Sequence, residues 1–449
     1  MNTSTAEEKL KSVAVKGLFR RFNHEIIFAA QDDIIIVTAP NGHGKTVMLR
    51  IVDSLFNRKL HFFWKLTFEE IHIQLFSGKA ISIFKDTGTL FPEEERQRPE
   101  VRIKSTGFGH DEESYELSPA LHPSDMRYFE RHFPVERIGP DHWRDYSVDR
   151  TLRMSDLVEL YADRLPEKIL QALKLPEWLQ LAFSCVNSHL IETQRLLSIE
   201  EVDDPRPNYR RDRVTTASVV EKDASDLSSR IGRVLQEYAN EAQKLDQSFP
   251  KRIIELHDVV VPVEADIRKQ LEELNRRRDE LVSAGLIGKT ISEPIKPSDR
   301  FSEEQVRKIL SIYIDDTKSK LSVFDEIYSK IRLFQEILNE HFSFKEIRID
   351  PKHGIMAVDK DSEKEIPLSE LSSGEQHELV LIYELLFKVE ESSLILIDEP
   401  ELSLHVAWQK RFVSDLQKIQ SLKPLEVIIA THSPQIINDR WDLVQDLKA

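Results

Sequence analysis

An unbroken β-branched run, Ile34-Ile35-Ile36-Val37, leads within two residues into Ala39-Pro40-Asn41-Gly42-His43-Gly44-Lys45-Thr46, and helical spacing follows from Lys45 to Phe56. A run of this kind flanked by Asp and Gly reads as a strand buried on both faces. Strand, glycine loop and helix in that order make a phosphate loop. Backbone N–H groups at the helix N-terminus can wrap a phosphate because glycines remove the Cβ atoms. The lysine charge reaches the β/γ oxygens and the threonine hydroxyl holds Mg²⁺. The usual pattern opens on glycine, and Ala39 is tolerated there if its φ is negative. Asn41, Gly42, His43, Gly44, Lys45 and Thr46 are therefore candidate nucleotide-binding residues, with Thr46 also a metal ligand.

A second apolar strand, Leu394-Ile395-Leu396-Ile397, ends in the adjacent carboxylates Asp398 and Glu399. Side chains alternate along a strand, but at its C-terminal end both can bend towards one ligand. Asp398 can hold Mg²⁺ through its water shell. Glu399 can polarise a water for in-line attack on a phosphate, which makes it the candidate catalytic base. Leu371-Ser372-Ser373-Gly374-Glu375-Gln376 precedes a helix expected from His377 to Lys388, where serine and glycine are also ordinary caps. His432, in Ala430-Thr431-His432-Ser433-Pro434, directly follows a strand at Val427–Ala430. The set in this order is far more specific than any one of its members.

The chain has 449 residues, room for about three structural units. Its 62 Lys and Arg against 78 Asp and Glu give a net charge of −16. That balance argues against a surface devoted throughout to nucleic acid, though not against a local basic groove. The single cysteine, Cys185, excludes an internal disulfide and a multi-cysteine zinc site, and it suits a reducing, cytoplasmic setting. The first ten residues lack a basic segment followed by an apolar one, so no signal peptide is expected. No apolar run approaches the roughly 18 residues a membrane helix needs.

Strands are expected at Ile71–Phe76, Ala80–Phe84 and Val101–Lys104, then loops with a short helix from Pro92 to Pro140. Helical patterns follow at Ser155 to Leu175 and Trp178 to Ala182. After Glu200 the composition changes. Leu227, Ile231, Val234, Leu235, Tyr238 and Leu245, then Ile267, Leu271, Leu274 and Leu281, recur at steps of three and four, as do Leu321, Phe324, Tyr328, Ile331, Phe334 and Leu338. The breakers Gly285, Gly288, Pro294 and Pro297 between them suggest a short antiparallel coiled-coil hairpin or an ordinary helical subdomain. Strands resume at Phe344–Ile349 and Ile355–Val358. The expected division is residues 1–199 as a first lobe with the phosphate loop, 200–343 as a helical insertion and 344–449 as a second lobe.

Taken together, the glycine loop, Leu371 to Gln376, Ile397 to Glu401 and Thr431 to Pro434 resemble the ABC-type ATPase heads of the SMC, RecF and overcoming-lysogenization-defect (OLD) families. The likeness covers about residues 13–60 and 366–437. It implies an α/β fold: a two-lobed P-loop ATPase head with a helical, short antiparallel coiled-coil insertion. It also implies ATP and Mg²⁺ as cofactors and slow hydrolysis of ATP. Ser372, Ser373, Gly374 and Glu375 would face the γ-phosphate held by a second copy, so that ATP joins a head dimer. Glu401 to His405 matches the segment that crosses such a seam, and His432 matches the switch histidine, with a catalytic role at the γ-phosphate. Gln194 matches the glutamine that watches the metal.

OLD-type proteins continue into a TOPRIM nuclease domain, whereas only a short tail follows His432. A separate effector is therefore expected. The closest resemblance is to the stand-alone ATPases of bacterial anti-phage modules, of the AriA type in PARIS systems and then the PtuA type in Septu. Those imply a TOPRIM or HNH nuclease as partner, a homo-oligomeric scaffold and a viral trigger protein. The competing function is a RecF-like clamp on duplex DNA, for which Arg210-Arg211 and Arg276-Arg277-Arg278 are the basic candidates, although short charge runs are usually solvated helix faces.

Overall fold

The computed structural model describes residues 8–29, 33–85, 101–109, 114–117, 129–139, 142–146, 150–153, 157, 161, 175–192, 196–202, 213–254, 261–288, 299–402 and 404–447. The chain divides into two compact units. The first comprises Met1–Thr193, Glu390–Leu402 and Lys423–Ala449, and the second Gln194–Val389 and Ser403–Leu422.

The first unit is built on two sheets. Five parallel strands lie in the order Ser188–Ile191, Leu394–Asp398, Glu426–Ala430, Ile34–Thr38, Val444–Asp446. The second and fourth of these are buried along their apolar runs, as a parallel sheet covered on both faces requires. The register sets Asp398 beside Ala430 and Ala430 beside Val37, so the strands end at a common level. Ligands in open parallel sheets bind beyond such carboxyl ends.

The other sheet is antiparallel, in the order Phe22–Ile27, Leu10–Leu18, Glu70–Leu75, Ala80–Lys85, Val101–Thr106, Ser114–Glu116. Its strands alternate buried and exposed residues, the pattern of a one-sided sheet. Helix Lys45–Phe56 buries Met48, Leu49, Ile51, Val52 and Leu55 in one core with residues of both sheets. A smaller antiparallel sheet, Val135–Arg137, His142–Asp145 and Arg150–Arg153, accompanies a cluster of Phe129, Phe133, Trp143, Leu157 and Tyr161. Where loops with a short helix were expected from Pro92 to Pro140, the described residues hold strands Ser114–Glu116 and Val135–Arg137 and a helical turn at 129–132, because short alternating segments among polar residues carry little periodicity. The helix expected from Ser155 to Leu175 lies largely outside the described residues.

Among the described residues the second unit carries four long helices, Val219–Ile254, Glu264–Ser283, Glu304–Ser322 and Asp325–His341, where the sequence pattern suggested two. The helical insertion is present, but its stripes hide two of its breaks. One falls before Glu264, beside Pro262, and the other at Val323-Phe324. Val323 (φ −55°, ψ −28°) and Phe324 (φ −87°, ψ −8°) keep nearly helical backbone, so Leu321, Phe324 and Tyr328 preserve their spacing across the bend. Arg278 Nη2 donates to Tyr313 Oη (2.9 Å) and Lys318 Nζ to Gln270 Oε1 (2.8 Å), which makes those two helices antiparallel neighbours. Lys320 and Asp246 (2.7 Å) and the paired Arg252 and Asp316 tie Glu304–Ser322 to the longest helix as well.

A three-stranded sheet follows, Lys345–Asp350, Gly354–Asp359 and Glu365–Ile366. Gly354 (φ +73°) turns against the longest helix so closely that a Cβ would come within 1.8 Å of the Ala224 carbonyl oxygen. The helix expected from His377 to Lys388 starts earlier, at Ser373, and its last five residues, Glu384–Lys388, widen into a π-helical turn with Val389 N donating to Glu384 O. No described helix is long and apolar enough to cross a membrane.

Candidate nucleotide site

The phosphate loop follows strand Ile34–Thr38 without a break. His43 N donates to Pro40 O at 3.3 Å, closing a turn, while Gly42 (φ +78°) and Gly44 (φ +92°) take backbone that L side chains rarely adopt. Ala39 is buried and has no positive φ, so the loop accepts its Cβ where glycine is usual.

Lys45 opens the helix and is only 5% exposed. Its ammonium donates to Ala39 O at 3.1 Å and contacts Nε2 of His432. Burial holds this lysine below its usual pKa, against the pull of Glu399, Glu401 and Asp398. Thr46 Oγ1 donates to Asp398 Oδ1 at 2.9 Å. Burial raises the Asp398 carboxyl, the Thr46 hydrogen bond opposes that, and the charge of Glu399 adds to it.

Asp398 ends its strand, and Glu399 steps into left-handed backbone (φ +44°) while its N–H donates to Ala430 O at 2.8 Å. Non-glycine residues held in that region recur at functional sites. Asp398 meets Thr46, and Glu399 Oε1 lies 3.6 Å from His432 Nε2. The His432 backbone N–H donates to Glu401 Oε1 at 2.7 Å, so Glu401 anchors the histidine segment. Lys45, Thr46, Asp398, Glu399 and His432 thus converge within the first unit, at the carboxyl ends of three adjacent strands.

The site offers hard oxygen donors in Thr46 Oγ1 and Asp398. Among the described residues, no group of three or more His, Cys, Asp or Glu could hold a metal ion by itself. Few protein ligands suit Mg²⁺, which keeps waters and takes phosphate oxygens.

The hexapeptide lies in the second unit. Ser372 caps helix Ser373–Tyr383 in a reciprocal box with Glu375: Glu375 N donates to Ser372 Oγ, and Ser372 N donates to Glu375 Oε2 at 2.7 Å. Lys345 Nζ is 2.6 Å from the same carboxylate. Burial alone would raise Glu375, but Lys345 and the Ser372 donors hold it below the usual carboxylate range. The Glu375 side chain is therefore committed to the cap, while Ser373 and Gly374 form the first turn. Gln194 lies outside the described residues, as do Arg210 and Arg211.

Of the remaining basic run, Arg277 pairs with Glu280 and Asp325 and stacks over Tyr328, and Arg278 donates to Tyr313. These two cations are engaged within the helices. Cys185 is buried and its thiol is pushed up to about 12 by burial, a core residue and not a nucleophile. Sequence reasoning missed His24, whose ring donates to the carbonyl of His43 in the phosphate loop. The one signal for it was alternation, which turns Phe22, His24 and Ile26 inward.

The strand, glycine loop and helix, with Asp398 and Glu399 at the end of a neighbouring strand, form a P-loop arrangement suited to a nucleotide. The family model described as "AAA domain, putative AbiEii toxin, Type IV TA system" matches residues 192–438, more than half of the chain, and the chain belongs to that family. No curated protein is significantly similar to it. Among solved structures the chain is similar to the Smc head domain with an extended coiled coil from Pyrococcus furiosus, bound to the C-terminal domain of ScpA. That match has 15% identity and a TM-score of 0.32, and covers 96% of this chain and 91% of that one. It is also similar to the SMC head domain from Thermotoga maritima, with 12% identity and a TM-score of 0.32, covering 98% and 94%.

Proposed function

We propose that this chain binds ATP with Mg²⁺ and hydrolyses it slowly as a homo-oligomeric, ABC-type scaffold, and that its nucleotide state controls a separate nuclease effector in anti-phage defence. The observation that carries the ATPase part is the convergence of Lys45, Thr46, Asp398, Glu399 and His432 on one phosphate loop. In this reading Asn41 to Thr46 hold the phosphates, and Thr46 and Asp398 hold Mg²⁺, which neutralises phosphate charge when bound. Glu399 takes a proton from the attacking water, and His432 relates the γ-phosphate to Glu399 and Lys45. Ser372, Ser373 and Gly374 serve the nucleotide of a second copy, Glu375 holds their cap, and by the motif resemblance Gln194 is the glutamine that senses the metal.

Control of a partner is favoured over a DNA clamp by two features. The net charge is −16, and Arg277 and Arg278 are already paired inside the helical unit. The family description names a toxin–antitoxin system, a two-component setting that suits an ATPase acting through another protein. By the motif resemblance, the effector is a TOPRIM nuclease, as in PARIS systems, or an HNH nuclease, as in Septu, in the cytoplasm and released by a viral protein.

The test is co-expression with the products of neighbouring genes, followed by purification with and without ATP. A complex whose nuclease activity depends on Glu399 supports the scaffold. Salt-dependent duplex binding and DNA-stimulated hydrolysis by the chain alone would establish the clamp instead.

A further inference from the structure

His24 touches the phosphate loop from outside the nucleotide motifs. It sits on strand Phe22–Ile27 and is only 3% exposed. Its Nε2 lies 2.6 Å from the carbonyl oxygen of His43. A carbonyl can only accept, so Nε2 carries a hydrogen and donates it. Nδ1 is buried and has no hydrogen-bond partner among the described residues. A ring kept only to fill space would be better replaced by an apolar one, because a buried nitrogen without a partner costs stability. The bond to His43 is what the imidazole contributes.

The ring is also held in plane. Phe22, on the same face of the strand, stacks on His24 at 5.5 Å with 14° between planes, and Phe22 lies 5.0 Å from the His43 ring. Those contacts fix where Nε2 points. The His43–Gly44 peptide is trans, so its N–H faces away from its carbonyl. Holding the carbonyl towards His24 therefore turns Gly44 N–H to the opposite side. A flipped peptide would show a carbonyl oxygen to an anion in place of a donor.

We propose that His24 is a positioning residue for nucleotide binding, which locks the His43–Gly44 peptide in the orientation that offers the Gly44 N–H to the β-phosphate. The proposal rests on the nucleotide reading of the loop. It assigns the lock to the first hairpin and not to the loop's own glycines. Because ADP and ATP share the β-phosphate, His24 should matter equally for both. It should matter little for the chemical step.

The experiment compares His24→Gln with His24→Asn in the full chain with Mg²⁺, by ADP titration and steady-state hydrolysis. A glutamine amide reaches about as far as imidazole Nε2, whereas an asparagine amide stops near Nδ1. His24→Asn should weaken ADP binding and raise KM for ATP about tenfold, with kcat within about twofold, as loss of one buried hydrogen bond predicts. His24→Gln should stay within about threefold of wild type. Equal affinities in the two variants, or a fall in kcat with KM unchanged, would overturn the proposal. If the asparagine protein does not fold, His24→Gln decides alone: near wild-type affinity supports the lock, and a tenfold loss overturns it. Lys45→Ala measured alongside separates the two readings, since undiminished ADP binding there indicts the nucleotide site itself.

Discussion

Thr46 Oγ1 donates to Asp398 Oδ1 across 2.9 Å, joining residues from opposite ends of the chain at the mouth of one parallel sheet. Strand Glu426–Ala430 lies between Leu394–Asp398, which ends in Asp398, and Ile34–Thr38, which leads through the glycine loop to the helix that carries Thr46, with every pairing parallel and in register. A hydroxyl and a carboxylate held this way present oxygen atoms to a divalent cation without enclosing it. Asp398→Asn keeps the shape and removes the charge. It should therefore abolish most of the Mg²⁺ dependence of ATP binding while sparing the fold, measured by nucleotide titration with and without Mg²⁺.

Lys45 is the cation among three acids, with Asp398, Glu399 and Glu401 all acting on it. Lys45→Ala would leave those carboxylates facing a polyanion. ATP binding should weaken by about 3 kcal/mol, roughly a hundredfold in Kd, from lost charge-assisted contacts. Wild-type affinity in the variant would remove the nucleotide assignment.

Glu399 stands 3.6 Å from His432 with its backbone in the left-handed region. Glu399→Gln cannot take up a proton. Turnover should fall by about 10²–10⁴, the usual contribution of a general base, with ATP affinity retained. Single-turnover hydrolysis beside equilibrium binding separates the two, and unchanged turnover would put the base elsewhere.

Much of this site was legible because parallel strands buried on both faces leave continuous apolar runs, as at Ile34–Val37 and Leu394–Ile397. What the sequence could not express was backbone conformation. Nothing in the letters of Glu399 announces φ +44°. Periodicity likewise passed over the bend at Val323-Phe324, where nearly helical dihedrals keep the stripe in phase. His24 was invisible for another reason: its partner is a carbonyl, and main-chain acceptors have no residue code.

A second buried charge group predicts a pH response. His341 Nδ1 contacts Glu378, its Nε2 is 3.3 Å from Asp415 Oδ2, and Trp408 stacks on the ring. Burial alone would lower the imidazole, but Asp415 and Glu378 outweigh it and raise it to about 9. Lys418, 3.5 Å from Asp415, adds a cation, while Glu336 and Glu340 face Lys418 from the helix of His341. A histidine with a raised folded pKa contributes stability that is complete below its unfolded value near 6.5 and is lost as pH rises through about 9. The melting temperature should therefore fall between pH 7 and 10 by several degrees more in wild type than in His341→Gln. Parallel curves would mean the imidazole is not the titrating group.

Gly374 offers the sharpest test of a shared site. It lies in the first turn of helix Ser373–Tyr383, just after the Ser372 cap. Arginine is a better helix former than glycine by several tenths of a kcal/mol, so Gly374→Arg should not unfold the helix. Its effect should come from filling the space where backbone approaches a phosphate. If that phosphate belongs to a second copy, nucleotide binding by each chain should stay nearly intact while hydrolysis and ATP-dependent pairing are lost. Mixing Gly374→Arg with Lys45→Ala then leaves one composite site whole, the one joining Lys45 of the first variant to Gly374 of the second. Such mixtures should recover hydrolysis that neither variant shows alone. Should turnover require two filled sites, pairing measured by sedimentation will still recover with ATP. Normal hydrolysis by Gly374→Arg as a monomer would instead confine the whole reaction to one chain, and the ABC-type arrangement of copies would fall with it.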